Sequence, residues 1–168
     1  MAEKAAWQFA ATSNLELTTV AAGAMLGPAL DDHVSGSFGL VRQLFDGSTR
    51  AIPAIGFNIS DVRDVADAHV RALATPQAAG ERFLVAEDGS ITLPLIATLI
   101  RTKRPALASR LPRYVLPSWV IRLAAPFSAT AREGRLFLTV NHDVSTQKAR
   151  RLLGWRPQSS IEEAVLAT

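Results

Sequence analysis

The stretch LTTVAAGAMLGP, residues 17–28, is the clearest indication of the fold class. The β-branched residues at positions 18 to 20 favour a strand over Leu15–Val20. The segment Ala21–Pro28 that follows is small and glycine-rich, which is typical of a loop at the C-terminal edge of a sheet. The stretch therefore predicts a strand that opens into such a loop.

Helices and strands alternate on both sides of this stretch. Periodicity and capping signals predict helices over Ala2–Thr12, Ser35–Phe45, Val65–Ala74, Thr92–Thr102, Trp119–Ala125 and Ser145–Leu153, with a last helix beginning at Ser159 or Ser160. Further strands are predicted over Ala51–Ile59 and Glu81–Ala86. This order predicts an α/β fold with a mainly parallel sheet. Three strands are few for such a sheet, because helices must cover both of its faces and its edges must be paired. We therefore expect a partial sheet that lacks its other strands.

The chain is predicted to form one incomplete domain over residues 1–168. Residues 1–90 would hold strands and helices of the sheet, and residues 91–168 a mostly helical part that four prolines between positions 105 and 126 break into short helices. No capping residue precedes Ala2, and no stop signal follows the last helix at Thr168. We therefore expect both terminal helices to be cut.

The composition is that of a folded protein without cysteine chemistry. Apolar residues make up 48% of the 168 residues and charged residues 20%, which is a globular balance. The chain has no cysteine, which excludes disulfides and Cys-ligated zinc. The longest apolar run, Val20–Leu30, has 11 residues, whereas a membrane-spanning helix needs about 20. With no apolar signal-peptide core at the N-terminus, we expect a soluble, cytoplasmic protein with no membrane partner.

The charge is unevenly distributed along the chain. Residues 1–100 carry 6 Lys and Arg against 11 Asp and Glu, and residues 101–168 carry 12 against 4. A basic C-terminal third can attract phosphate, acidic substrates or nucleic acid. Aromatic residues for base stacking are sparse there, so we favour solvated helix faces and expect no nucleic-acid partner. Nucleic-acid binding that falls steeply with salt would support the alternative.

Four stretches in the same order resemble one enzyme family. They are AEKAAW (2–7), LTTVAAGAMLGP (17–28), DVRDVADAH (61–69) and STQKARRLLGWRP (145–157). They resemble extended short-chain dehydrogenases/reductases of the dihydroflavonol-reductase and nucleotide-sugar-epimerase type. In that family the first stretch follows a Tyr-x-x-x-Lys pair, the second passes the nicotinamide, and the fourth ends the C-terminal part.

The resemblance implies a Rossmann-like fold that binds NAD or NADP, of which this chain is the C-terminal part. It implies cofactor contacts at Ala22, Gly23 and Met25, and substrate contacts at Gly27, Pro28, Val34 and Phe38. The implied partners are a small-molecule substrate and either a missing N-terminal half or a second copy in a homo-oligomer. Apolar residues in the variable loops, Val34 and Phe38 together with Leu111, Tyr114, Val115, Leu116 and Trp119, favour a hydrophobic ketone as substrate.

Two features of the family are absent from these 168 residues. No glycine-rich phosphate loop follows a strand, since Gly23 and Gly27 are followed by Pro28 rather than by a helix. The only tyrosine, Tyr114, is followed four residues later by Ser118 and not by a lysine. We therefore expect a substrate-binding portion of an NAD(P)-dependent oxidoreductase or epimerase acting on a small carbonyl or hydroxyl compound. It would be inactive alone, bind the cofactor weakly or not at all, and carry no catalytic residue; the alternative is a non-catalytic binding or regulatory module.

Other residues admit a catalytic or metal-binding interpretation that we do not favour. Asp61, Arg63 and Asp64 resemble a catalytic cluster, but acidic residues before an apolar helix usually cap it. The triplet 31–33, Asp-Asp-His, has no nearby second histidine to complete a metal site. The Ser-x-x-Lys at 145–148 lacks the companion motifs of acyl-enzymes. A left-handed turn at Gly154 is predicted to direct Trp155 toward the apolar side of the preceding helix, where it would be a core anchor.

Overall fold

The computed structural model describes residues 2–29, 36–47 and 49–168. Its helices are α1 (Ala2–Ala11), α2 (Gly36–Arg42), α3 (Val62–Ala74), α4 (Leu93–Lys103), α5 (Ser118–Ala124), α6 (Ala129–Phe137), α7 (Gln147–Leu152) and α8 (Ile161–Leu166). Its strands are β1 (Thr19–Ala22), β2 (Ala24–Leu26), β3 (Ala51–Pro53), β4 (Gly56–Phe57), β5 (Ile59–Asp61), β6 (Arg82–Val85), β7 (Ile91–Thr92) and β8 (Tyr114–Leu116). Short 3₁₀ turns lie at Pro76–Ala78 and Pro105–Leu107.

The strands of the described residues pair two by two, and most pairs are parallel. β1 pairs with β6, β2 with β5 and β3 with β8, all in parallel, whereas β4 and β7 are antiparallel. Parallel strands need crossover connections, which here contain helices such as α2 between β2 and β5. The predicted α/β class with a mainly parallel sheet is confirmed.

The strand that begins at Thr19 continues farther than predicted. It runs through Leu26 with a break only at Gly23, because β1 pairs with β6 and β2 then pairs with β5. The prediction that the strand ends at Val20 and that a loop covers residues 21–28 was therefore wrong. The predicted strand Ala51–Ile59 is likewise divided into β3, β4 and β5, each with a different partner.

The second half of the chain is mostly helical but is not free of strands. β7 and β8 were not predicted, and β8 lies beside β3, more than 60 residues earlier in the sequence. Helix α6 was also missed, while α4, α5 and α8 begin within one residue of their predicted starts. Ser160 caps α8 through a capping box with Glu163, as its position before the helix predicts.

One hydrophobic cluster joins α3, β6 and α7. Val65, Phe83 and Val85 pack in it with Trp155, whose side chain is 1% exposed. Gly154 takes a left-handed φ of +60° directly after α7, and the Trp155 indole nitrogen donates to the Asp64 carbonyl oxygen at 2.8 Å. The prediction that Trp155 is a core anchor is confirmed.

A second, larger cluster lies under the other strands. It gathers buried residues of α2, α4 and α8 with those of β2, β3 and β5, among them Val41, Ile96 and Val165. The described part of the chain thus has two apolar centres.

Helix α1 lies outside both clusters and has no buried residue. Polar contacts hold it, because the Glu3 carboxylate accepts from the Arg82 guanidinium at 2.7 Å and from the Thr19 hydroxyl at 3.1 Å. Phe9 on this helix is 64% exposed. No helix in the ranges described above is both long and apolar enough to cross a membrane.

Candidate functional site

A cleft of the described residues opens beyond the C-terminal ends of β1 and β6. Its volume is about 490 Å³. Its wall is mainly apolar and includes Ala21, Ala22, Gly23, Ala24, Leu40, Phe57, Leu84, Ala86, Ile96, Phe137, Val140 and Val144. Open α/β sheets bind their ligands in a crevice outside the carboxyl ends of parallel strands. The cleft occupies that position and is large enough for a small organic molecule.

Gly23 gives this wall its shape. Its amide donates to the Ser60 hydroxyl at 2.8 Å and to the Val85 carbonyl at 3.3 Å, and the Ser60 hydroxyl donates to the same carbonyl at 2.8 Å. A Cβ at position 23 would lie 2.3 Å from the Asn58 carbonyl oxygen, closer than real Cβ atoms approach. Only glycine fits where the strand changes partner, and this close approach brings the backbone of residues 22–24 to the cleft.

Polar side chains are few in the lining of the cleft. Asn58 donates from its side-chain amide to the Gly89 and His142 carbonyl oxygens at 3.0 Å each, which ties the segment 137–144 to the strands. His142 lines the cleft and packs against Gly56, where a Cβ would lie 3.3 Å from its Nε2 atom. Among the lining residues that the structure describes, His142 alone carries an imidazole, and none carries a carboxylate, an ammonium or a guanidinium group.

The predicted cofactor residues are only partly on the cleft. Ala22 and Gly23 line it, whereas Met25 does not and is 40% exposed. Successive residues of a strand face opposite sides, so the cleft takes Ala24 and Leu26 from β2 instead. Contact of Ala22, Gly23 and Met25 with a cofactor stays a prediction.

The predicted substrate residues lie elsewhere. The Gly27 amide donates to the Thr168 hydroxyl at 3.2 Å, Pro28 is exposed, and Phe38 is buried in the larger cluster. Val34 and the triplet 31–33 lie outside the described residues. Their contact with a substrate stays a prediction, since none of Gly27, Pro28 and Phe38 lines the cleft.

Part of the apolar wall comes from the end of the helical region. No described residue between positions 105 and 127 lines the cleft, and contact of Leu111, Tyr114 and Trp119 with a substrate stays a prediction. Phe137, Val140 and His142 line the cleft. They lie at the end of α6 and in the loop after it, where no periodic pattern or motif marked them.

The acidic corner at residues 61–64 is structural. Asp61 caps α3 by accepting from the Arg63 amide at 2.9 Å and also holds the Arg63 guanidinium at 2.8 and 2.9 Å, which lowers the pKa of this carboxyl below its usual value. Asp64 does not cap the helix, contrary to our preferred interpretation. Its carboxylate accepts from the Gln158 and Ser159 amides at 3.1 and 3.0 Å, and so ties the segment after Trp155 to α3.

Glu87 completes this corner from the end of β6. It is 4% exposed, accepts from the Asp61 amide at 3.3 Å and faces the carboxyls of Asp64 and Asp61. Burial, together with these two acidic neighbours, raises its pKa to about 7. None of the corner's residues lines the cleft, so the perturbed carboxyl is a structural group and not a candidate acid or base for a ligand there.

Parallel strands, crossover helices and a cleft at the strand ends define the class, a Rossmann-like α/β fold. No family model matches the chain. Anthocyanidin reductase of Vitis vinifera is 31% identical over 126 residues, which are 70% of this chain and 35% of that protein. The ketoreductase of Aspergillus niger is 35% identical over 127 residues, 69% of this chain and 37% of that protein.

A solved structure covers almost all of the chain. The yeast methylglyoxal/isovaleraldehyde reductase complexed with NADPH superposes with a TM-score of 0.71 at 26% identity, over 99% of this chain and 46% of that one. The chain belongs to the extended short-chain dehydrogenase/reductase family, and it spans less than half the length of these relatives.

Proposed function

We propose that this chain is the substrate-binding, C-terminal portion of an NAD(P)-dependent oxidoreductase or epimerase that acts on a small carbonyl or hydroxyl compound. The observation that carries the proposal is the apolar cleft at the ends of β1 and β6, with Ala22 and Gly23 in its wall. The stretch that bears these two residues is the one whose sequence resembles the nicotinamide-binding segment of the family. The relatives that are named reductases support the same chemistry.

The residues present fit one end of a nicotinamide dinucleotide. The small side chains at positions 21–24 leave room for a flat ring against the strand. These 168 residues contain no glycine-rich loop before a helix that would hold a pyrophosphate. When bound, the nicotinamide supplies or accepts a hydride. This chain would supply the wall against which ring and substrate meet, and it would keep water away from them.

The lining favours an apolar substrate with one polar group. Phe57, Phe137 and Val140 offer apolar and aromatic surface, and His142 offers a hydrogen bond to a carbonyl or hydroxyl oxygen. This combination fits aromatic or alicyclic ketones and alcohols. His142 would orient the substrate, since proton transfer in the family's chemistry belongs to a tyrosine that this chain does not carry in the family's motif.

A test of the proposal uses the chain together with the upstream half of its protein. NADPH oxidation is followed with a panel of aryl ketones, and Val140→Trp, which fills the cleft, is compared with Val70→Trp on the solvent side of α3, where the side chain is 65% exposed. We expect turnover in the parent and in Val70→Trp, and a KM raised at least about tenfold in Val140→Trp. Equal turnover in both variants would contradict the cleft as the substrate site.

The isolated chain provides the complementary measurement. We expect it to bind NADPH very weakly by calorimetry, because the main anion contacts of the cofactor would come from a phosphate loop. Micromolar affinity would contradict this expectation. The second candidate function, a non-catalytic binding module, would be supported if the longer protein bound ketones in the cleft without oxidising NADPH.

A further inference from the structure

A second pocket lies away from the cleft and has a different chemistry. Its volume is about 290 Å³. It is lined by Gly47, Thr49, Arg50, Ser109, Arg110, Leu111, Arg113 and Tyr114. The two pockets share no lining residue. The side chains around this pocket include three guanidinium groups and three hydroxyls but no carboxylate.

The strand pairing brings these arginines together from distant parts of the chain. β3 and β8 are parallel with Ala51 opposite Tyr114, and the amides of Arg113 and Tyr114 both donate to the Arg50 carbonyl oxygen at 3.2 Å. Arg110 lies three residues before Arg113, in the same segment of the pocket wall. Three positive charges therefore share one concavity, where each raises the free energy of the other two.

The frame under the arginines is fixed. Leu111 is 3% exposed and belongs to the larger hydrophobic cluster, and Pro112 is buried. The Pro112 carbonyl accepts from the Arg101 guanidinium at 2.9 Å. The backbone between Arg110 and Arg113 is thus anchored at Leu111 and Pro112.

The charge of the pocket is not neutralised by the described part of the protein. The guanidiniums of Arg50, Arg110 and Arg113 make no hydrogen bond or ion pair with any described residue, whereas Arg63, Arg71, Arg82 and Arg150 elsewhere each bind a carboxylate. Guanidinium groups bind phosphate oxygens in pairs of parallel hydrogen bonds. An anion with several oxygens would use the arginine donors, and the hydroxyls of Thr49, Ser109 and Tyr114 lie around it.

We propose that the pocket at Arg50, Arg110 and Arg113 binds the phosphate group of a small phosphorylated compound. The pocket is concave and small, so its shape suits a phosphate or diphosphate. A nucleic-acid site would instead be a flat, extended groove. The proposal does not depend on the function assigned to the cleft. Two of the pocket's three arginines come from the positively charged C-terminal third of the sequence. The pocket would therefore account for part of that positive charge.

The test is a titration of the 168-residue chain with inorganic phosphate and with pyrophosphate, followed by amide chemical shifts at constant ionic strength. We expect saturable shifts confined to Gly47, Thr49, Arg50 and residues 109–114, with pyrophosphate binding more tightly. Arg110→Gln and Arg113→Gln should each weaken pyrophosphate binding at least about tenfold. Arg156→Gln, an exposed arginine outside this pocket, serves as the matched control and should bind as the parent does.

Three results would overturn the proposal. One is the absence of saturable shifts at millimolar pyrophosphate. Another is an equal loss of affinity in Arg156→Gln, which would mean that only the net charge matters. The third is a short DNA duplex that binds through the same three arginines more tightly than pyrophosphate, which would assign the surface to nucleic acid. Circular dichroism of each variant shows whether it is folded, which we expect because all three side chains are exposed.

Discussion

Replacing Glu87 with glutamine should change how the stability of the chain depends on pH. The carboxyl is buried at 4% exposure, accepts from the Asp61 amide and shares a hydrogen bond with the Asp64 carboxyl when it is protonated. A glutamine keeps the shape, accepts through its oxygen and donates through its nitrogen. It cannot ionise, so it retains the contacts of the neutral acid at every pH.

The direction follows from the raised pKa. The folded state holds the Glu87 proton up to about pH 7, whereas the unfolded chain releases it near 4.5. The stabilisation of the folded state by the neutral Glu87 carboxyl is fully present below pH 4.5 and is lost as pH rises through 7. At about 1.4 kcal/mol per pKa unit, the loss amounts to about 3 kcal/mol. The free energy of unfolding of Glu87→Gln should therefore exceed that of the parent by about 3 kcal/mol more at pH 8 than at pH 4.5.

Urea unfolding of parent and variant at several pH values between 4.5 and 8 measures this difference. Taking the difference removes the contributions of other groups, including Asp61, whose lowered pKa acts at more acidic pH. Glu16→Gln, at an exposed position, is the matched control and should show no such trend. A difference between Glu87→Gln and the parent that stays constant over this range would refute the reasoning.

Three further outcomes are expected. Trp155→Ala should lower the free energy of unfolding by about 3–5 kcal/mol, with a smaller loss in Trp155→Phe, and denaturant melts check it; an unchanged midpoint would contradict a core role. Gly23→Ala should unfold at lower denaturant, because the new Cβ would approach the Asn58 carbonyl to 2.3 Å; equal stability would mean that the strand can move aside. The chain should bind a hydrophobic dye and self-associate at high concentration, since Phe9 and Phe127 are 64% and 91% exposed; a monodisperse monomer without dye binding in sedimentation and fluorescence would argue against it.

Features that depend on local chemistry were predictable from the sequence. The cap at Ser160 and the turn at Gly154 are each set by residues within four positions, so spacing alone indicates them. The alternation of helices and strands predicts the α/β class, because each helix or strand is also indicated by its own local sequence. The burial of Trp155 followed from the turn and from the apolar side of the helix before it.

Features that depend on distant partners were not predictable. The strand continues through residues 24–26 only because Asn58 and Ser60 meet Gly23, and nothing near residue 23 indicates them. Asp64 looked like a helix cap because its partners, Gln158 and Ser159, lie more than 90 residues away. His142 stands in a loop without periodicity, and its place in the cleft depends on the Asn58 side chain.

The bond between the Trp155 indole and the Asp64 carbonyl joins residues 91 positions apart, and this separation bears on synthesis. At about 5–20 residues per second, the ribosome needs roughly 5–20 seconds to make the intervening chain. During that interval Val65 and Phe83 have been made but have no Trp155 to pack against. The nascent chain therefore displays an unfinished apolar surface for seconds, far longer than the collapse of a chain this size takes. Chaperone capture during translation is expected to concentrate in this interval and to end once residue 155 has left the exit tunnel.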